Sequence, residues 1–267
     1  MVTQIDIETA FLQAPLAEDI YMEIPNGYKD KFKKTAVLKL NKAIYGLRQS
    51  SKAFNDKLTW SLKQLGWSQL KSDPCIFKRG KEILAAFVDD CLVGAISEQS
   101  YSIILTEISM HLRIGDHGHI NHFLKIKVEY NLKQQYCKLS QPVFIDKIVK
   151  FCKLEEAKPK STPLDIYTKL QKKDSDEKQM ENPFREVVGQ LLYLASCTRP
   201  DIYHAVIALS QYCNNYSKVH WNQLLHIVRY LKGSNEGITL RPGDYRMRVF
   251  TDADWEVIWI LGDPHLV

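Results

Sequence analysis

No apolar run in the 267 residues approaches the roughly 18–20 that a membrane-crossing helix needs, so no membrane partner is expected. The amino terminus, Met1-Val2-Thr3-Gln4-Ile5-Asp6, has neither the basic region nor the apolar core of a secretion signal. The chain is therefore expected to be intracellular, in cytoplasm or nucleus, and not secreted. Six cysteines (75, 91, 137, 152, 197, 213) are scattered with no Cys-x-x-Cys pair. That spacing argues against a zinc ribbon or a disulfide framework and for reduced thiols. No internal repeat or low-complexity tract is visible. The charge excess is small: 36 Lys plus Arg against 31 Asp plus Glu, a net +5. Such a balance permits a polyanionic partner without requiring one.

What is present is globular. Hydrophobic residues make up 45% and charged residues 25% of the chain, enough to bury one large core or two modest ones. Residues 2–12 open as an alternating strand with no cap or turn before it, like a piece of something longer. Residues 13–36 read as turn-rich connection, and residues 38–40 as a short strand. Residues 50–65 have helical spacing, with Phe54, Leu58, Leu62 and Leu65 on one face and Gly66 closing the helix. A hairpin over 76–88 turns at Arg79-Gly80, Asp89-Asp90 interrupts its apolar second strand, and residues 91–95 resume it. A helix over 100–112 and a hairpin over 123–140 follow. Helices are then expected over 141–152, 184–196, 201–214 and 220–232, with a polar, lysine-rich loop over 158–182. The coarse expectation is an α+β fold: a mixed half (1–140), a helical half (141–240) and a short remainder (241–267) that begins a new strand.

Adjacent aspartates after an apolar strand carry the first chemical signal. Two neighbouring carboxylates repel, and burying one without a cation is costly. A hairpin tip holding a divalent metal explains the pair, and so does a solvated turn. A metal site needs a third carboxylate, for which Asp6 on the early strand is the candidate. Three carboxylates around hard cations are what two-metal phosphoryl transfer requires.

The remaining motifs stand in a recognisable order. Gln4-Ile5-Asp6 is followed by Thr9-Ala10-Phe11-Leu12, Ile20-Tyr21-Met22 and Tyr45-Gly46-Leu47-Arg48-Gln49-Ser50. Phe87-Val88-Asp89-Asp90, Leu139-Ser140-Gln141, Thr162-Pro163-Leu164 and Thr198-Arg199-Pro200-Asp201-Ile202 come next. His220-Trp221, Arg229-Tyr230-Leu231-Lys232-Gly233 and Thr251-Asp252-Ala253-Asp254-Trp255 complete the series. Over nearly residues 2–255 the chain resembles the reverse transcriptase of copia-type LTR retrotransposon Pol polyproteins. The resemblance implies a palm of antiparallel sheet plus helices, then a helical thumb or connection region, then a truncated start of ribonuclease H. It implies an RNA-directed DNA polymerase that extends a primer on an RNA or DNA template with deoxynucleoside triphosphates, using two Mg2+ (or Mn2+) ions and no organic cofactor. By the same resemblance Asp6 and Asp89 would ligate the ions, with Asp90 as the third catalytic carboxylate supporting the hairpin tip. Phe11 would exclude a nucleotide 2′-hydroxyl. Tyr45, Gly46, Arg48, Gln49 and Phe87 would lie near template and nucleotide, and Phe123, Leu124 and Lys125 at the primer grip. Asp252 matches the first carboxylate of ribonuclease H.

Departures from the family pattern give a second expectation. Phe87 stands for the usual Tyr, Ser51 for Pro, and Lys125 for Gly. The fingers region that precedes the first motif in the family is expected to be lacking, and after Trp255 the residues depart from the ribonuclease H pattern. A truncated copy with little polymerase activity and no ribonuclease H activity is expected. The alternative is a non-catalytic fragment that binds nucleic acid or serves as a scaffold. His117, His119 and His122 are read as ordinary turn and strand residues rather than a metal site.

Overall fold

A computed structural model describes residues 1–33, 35–165, 167–171, 181–234 and 236–243. The chain divides into two compact units, Met1–Phe123 and Leu124–Val267. The first unit runs β1 (Val2–Ile7), α1 (Ala10–Gln13), β2 (Pro15–Glu23), β3 (Val37–Lys42), α2 (Ser50–Gln64), β4 (Ser68–Gln69), β5 (Ile76–Arg79), β6 (Glu82–Phe87), β7 (Asp90–Gly94), α3 (Glu98–Ser109), β8 (Ile114–His119) and the two-residue β9 (His122–Phe123).

Strand alternation builds the main sheet. β1 buries Thr3, Ile5 and Ile7 and leaves Gln4 and Asp6 half-buried on the other face. β7 repeats the pattern, burying Cys91 and Val93. The strands lie in the order β4-β5-β6-β7-β1-β8 with antiparallel neighbours. Phe54, Leu58 and Leu62 of α2 and Tyr101, Ile104 and Ile108 of α3 join Ile5, Ile7, Leu84 and Val93 in one core. Each large aliphatic buried in this way contributes about 1.5–3 kcal/mol. The helices thus cover one face of the sheet, and the opposite face is the one that carries Asp6. α2 starts at Ser50 as its periodicity predicts and ends at Gln64, with Leu65 as its cap and Gly66 at φ +80°. α3 starts two residues earlier than expected because Ser97 caps it, its side chain accepting from the Ser100 amide at 3.1 Å.

Two local expectations change. The stretch 13–36, read as turn-rich, contains the nine-residue β2, which pairs with β3 as a separate two-stranded ribbon. Pro15 is tolerated there because it is the first residue of the strand. The β5–β6 hairpin turns at Gly80-Lys81 rather than Arg79-Gly80, since Arg79 pairs with Glu82 across the ladder.

The second unit contains β10 (Ile126–Asn131), β11 (Tyr136–Ser140), α4 (Pro142–Phe151), α5 (Phe184–Cys197), α6 (Tyr203–Ser210), α7 (Lys218–Gly233) and β12 (Ile238–Leu240). Ile148, Val187, Leu191, Leu194, Val206, Leu209, Leu224, Ile227 and Val228 form its core. The helix expected over 201–214 is shorter than its sequence suggests: Pro200–Ile202 form a 3-10 turn ahead of α6. The hairpin expected over 123–140, within the first half, is divided here: Phe123 closes the first unit and residues 126–140 lie in the second. The reason is β12, which follows α7 and pairs with β11. Only glycine fits just before β12, because a β-carbon on Gly237 would lie 2.3 Å from the Leu139 carbonyl oxygen. The expected ribonuclease H remnant, with Asp252, lies outside the described residues.

The second unit opens with Leu124 and Lys125, two turn residues with φ +50° and +68°. Left-handed backbone costs a side chain-bearing residue about 1–2 kcal/mol. Lys125→Gly should therefore raise stability by up to ~1 kcal/mol, the gain being trimmed by the greater freedom of glycine in the unfolded chain. A denaturant midpoint that stays put or falls would show that the turn holds no such strain.

Candidate active site

The site assembles at the β6–β7 hairpin and the end of β1. Phe87 pairs with Asp90 across the hairpin, and Asp90 pairs with Asp6 across to β1. Directly opposite residues in antiparallel strands share a face. Phe87, Asp90 and Asp6 therefore form one row on the face away from the helices, with Phe87 58% exposed. The hairpin tip is Val88-Asp89. Val88 has φ +54°, an outlier for a β-branched residue and a place where backbone strain is held. The tip is tied down from β1, whose Ile7 amide donates to the Asp89 carbonyl at 2.7 Å.

Register thus puts Asp90, not Asp89, opposite Asp6. Asp90 Oδ1 accepts from the Gln4 amide at 3.1 Å. Asp89 Oδ2 accepts from the Tyr45 hydroxyl at 2.5 Å, while its Oδ1 is buried with no hydrogen-bond partner. Burial, then the charges of Asp89 and Asp90, push the Asp6 carboxyl above its usual range, and His117 pulls it back somewhat.

Tyr45 is placed by a turn. The Leu47 amide donates to the Ile44 carbonyl at 3.5 Å, with Gly46 at φ +97° in the third position. That position of such a turn demands positive φ and hence favours glycine. Ser50, the first residue of α2, closes the loop by donating its hydroxyl to the Ile44 carbonyl at 2.5 Å. The Tyr45 ring stands edge-on to Phe11, centroids 4.6 Å apart, and Phe11 in turn touches Phe54 of α2 at 6.1 Å. Phe11 is buried. Arg48 is exposed and Gln49 half-buried. Phe123 closes the first unit, and Leu124 and Lys125 open the second.

The oxygen-only donor set suits a hard divalent cation. Crowded carboxylates at Asp6 and an unpartnered, buried Asp89 Oδ1 are features that a cation would relieve. Among the described residues no group of three or more His, Cys, Asp or Glu side chains is arranged to hold a metal ion. Asp89 sits in the turn with one oxygen drawn to Tyr45.

Two features escaped the sequence. Tyr45 was placed near template and nucleotide, but its bond to Asp89 has no sequence signal, since the two are brought together only by the fold. His117, read as an ordinary strand residue, sits at a bulge: Gln4 pairs with Gly118 and Ile5 with Asp116, leaving His117 as the extra residue. Its charge acts on Asp6. The sequence clue was the pair of glycines flanking it.

A family model described as reverse transcriptase (RNA-dependent DNA polymerase) matches residues 1–166. The chain belongs to the reverse transcriptase family. It is 34% identical over 265 residues to a Nicotiana tabacum protein named Retrovirus-related Pol polyprotein from transposon TNT 1-94, covering 95% of this chain and 20% of that protein. A Retrovirus-related Pol polyprotein from transposon RE1 of Arabidopsis thaliana is 35% identical over 260 residues, covering 95% and 18%. A putative transposon Ty5-1 protein of Saccharomyces cerevisiae is 28% identical over 230 residues, covering 85% of this chain and 74% of its own length. The resemblance to copia-type Pol polyproteins therefore holds. The chain spans about a fifth of the length of the plant polyproteins it matches. Among the described residues no helix is long and apolar enough to cross a membrane.

Proposed function

We propose that this chain carries the palm site of an RNA-directed DNA polymerase of a copia-type retrotransposon. The row Phe87–Asp90–Asp6, with Asp89 at the tip beside it, is the observation that carries this reading. In the reaction a primer 3′-hydroxyl attacks the α-phosphorus of a template-paired deoxynucleoside triphosphate, and pyrophosphate leaves. Two Mg2+ (or Mn2+) ions, when bound, supply charge neutralisation and an activated attacking oxygen. Asp6 and Asp89 are the residues to hold them, and Asp90 supports the tip through its bond to Gln4. Phe11 limits room at the sugar 2′ position. Phe87 faces the primer end from the exposed side of β6. Tyr45, Gly46, Arg48 and Gln49 border the template and nucleotide. The first unit is then the palm, and the helical second unit the thumb or connection.

We further infer that the chain polymerises slowly. Phe87 lacks a hydroxyl that could steady the primer. Lys125 puts a long side chain where a primer grip needs backbone to approach nucleic acid. A misplacement of about 1 Å at the primer end can cost roughly a hundredfold in rate.

Two measurements test the reading. Binding to a primer–template duplex should be detectable at low salt and fall steeply as salt rises, as expected when lysines and arginines neutralise phosphates. Absence of binding at every salt concentration would overturn the polymerase reading. Primer extension with Mg2+ or Mn2+ should be only slightly above that of an Asp89→Asn, Asp90→Asn double variant. Rapid extension by the unaltered chain would overturn the inference of slowness and leave the site assignment standing.

A further inference from the structure

Asp89 has two carboxylate oxygens in unlike settings. Oδ2 is engaged by the Tyr45 hydroxyl at 2.5 Å, and Oδ1 is buried and unpartnered. A carboxylate on a tight hairpin tip can rotate about its terminal torsion, which is broad. A donor fixed from outside the hairpin removes that freedom. Tyr45 is itself fixed three ways: by the Gly46 turn, by the Ser50 bond to Ile44, and by the ring of Phe11.

We propose that Tyr45 is a positioning residue that orients Asp89, holding Oδ2 so that Oδ1 is the oxygen offered to a divalent cation, and that it links this carboxylate to Phe11. The proposal rests on the polymerase reading given above. It adds a role for a residue that touches Asp89 through its hydroxyl and Phe11 through its ring. Groups that orient a metal-binding side chain typically matter by 10–100-fold in metal affinity. A competing role is conceivable from the same bond: a hydroxyl that merely occupies the carboxylate would block a cation, and removing it would tighten binding. The two roles predict opposite signs.

The test is Mn2+ binding to the full chain, read from the electron paramagnetic resonance signal of free Mn2+, with no turnover required. The proteins are the unaltered chain, Tyr45→Phe and Asp89→Asn. Tyr45→Phe keeps the ring against Phe11, so folding should survive and thermal melting should be unchanged. The expected result is binding that Asp89→Asn abolishes and that Tyr45→Phe weakens by roughly tenfold. Asp89-dependent binding that Tyr45→Phe leaves unchanged or tightens would overturn the proposal and leave the polymerase reading intact. Mn2+ binding that is absent, or indifferent to Asp89→Asn, would overturn the metal-site reading itself and this proposal with it.

Discussion

Asp89→Asn is expected to lose cation binding and whatever primer extension the chain supports, while primer–template affinity stays the same or rises slightly. The asymmetry follows from charge and position. An amide keeps the shape of the side chain and can still accept from Tyr45, but it removes the negative charge from the only oxygen at the tip that is buried without a partner. Metal-borne charge stabilisation is worth several kcal/mol in the transition state. At about 1.4 kcal/mol per factor of ten, its loss costs a hundredfold or more in rate. Nucleic-acid affinity moves the other way because one negative charge near the phosphates disappears. Asp90→Asn should cost less, since Asp90 already spends Oδ1 on Gln4. Its register opposite Asp6 nevertheless gives it a rival claim. If Asp90→Asn proves the more damaging in Mn2+ binding and in extension, the roles of the two aspartates are exchanged, and Asp6 with Asp90 is the metal pair.

Much of the fold around this site is legible in residue pattern because it depends on short-range periodicity. The helix beginning at Ser50 declares itself through Phe54, Leu58 and Leu62, and the structure gives it that face. The β6–β7 hairpin is equally plain, since an apolar strand interrupted by two aspartates has few other solutions. What could not be read depends on contacts between distant segments. Nothing near residue 238 says that it will pair with β11, so the ladder that ties residues 136–140 to the end of the second unit could not be read. Register is hidden for the same reason: a shift of one residue exchanges Asp89 for Asp90 opposite Asp6, and only the strand pairing decides between them. The motif order over the whole chain pointed to the family, because a series of short phrases in sequence needs no three-dimensional information.

Arg199→Met is expected to destabilise the second unit by about 1–3 kcal/mol, the usual cost of leaving partly buried hydrogen-bonding groups without their partner. Arg199 follows α5 and is 1% exposed. Its guanidinium donates to both oxygens of Asp201 at 2.9 and 2.7 Å, and to the carbonyl and hydroxyl oxygens of Ser234 at 3.1 and 3.0 Å. The same group lies 5.4 Å from the ring centre of Tyr230, whose hydroxyl donates to Asp201 at 2.8 Å. One side chain thus joins the end of α5, the turn before α6 and the end of α7. Methionine fills much of the volume but takes both guanidinium donors from Asp201 and strips the Ser234 carbonyl of this donor. Arg199→Lys should recover only part of the loss, because an ammonium cannot make the planar, two-pronged contact with Asp201. Burial pushes the Asp201 carboxyl up, but the hydrogen bonds from Arg199 and Tyr230 outweigh it and hold the group below its usual value. A carboxyl depressed in the folded state contributes stability that is present above its unfolded value of about 3.9 and is lost as pH falls through the lower folded value. The acid arm of the stability curve should therefore be shallower in Arg199→Met than in the unaltered chain. Urea unfolding followed by far-ultraviolet circular dichroism at pH 7 and through the acid range measures both effects. A loss below about 1 kcal/mol at pH 7, within the range of an exposed ion pair, would show that this network is solvated rather than the clasp of the helical unit.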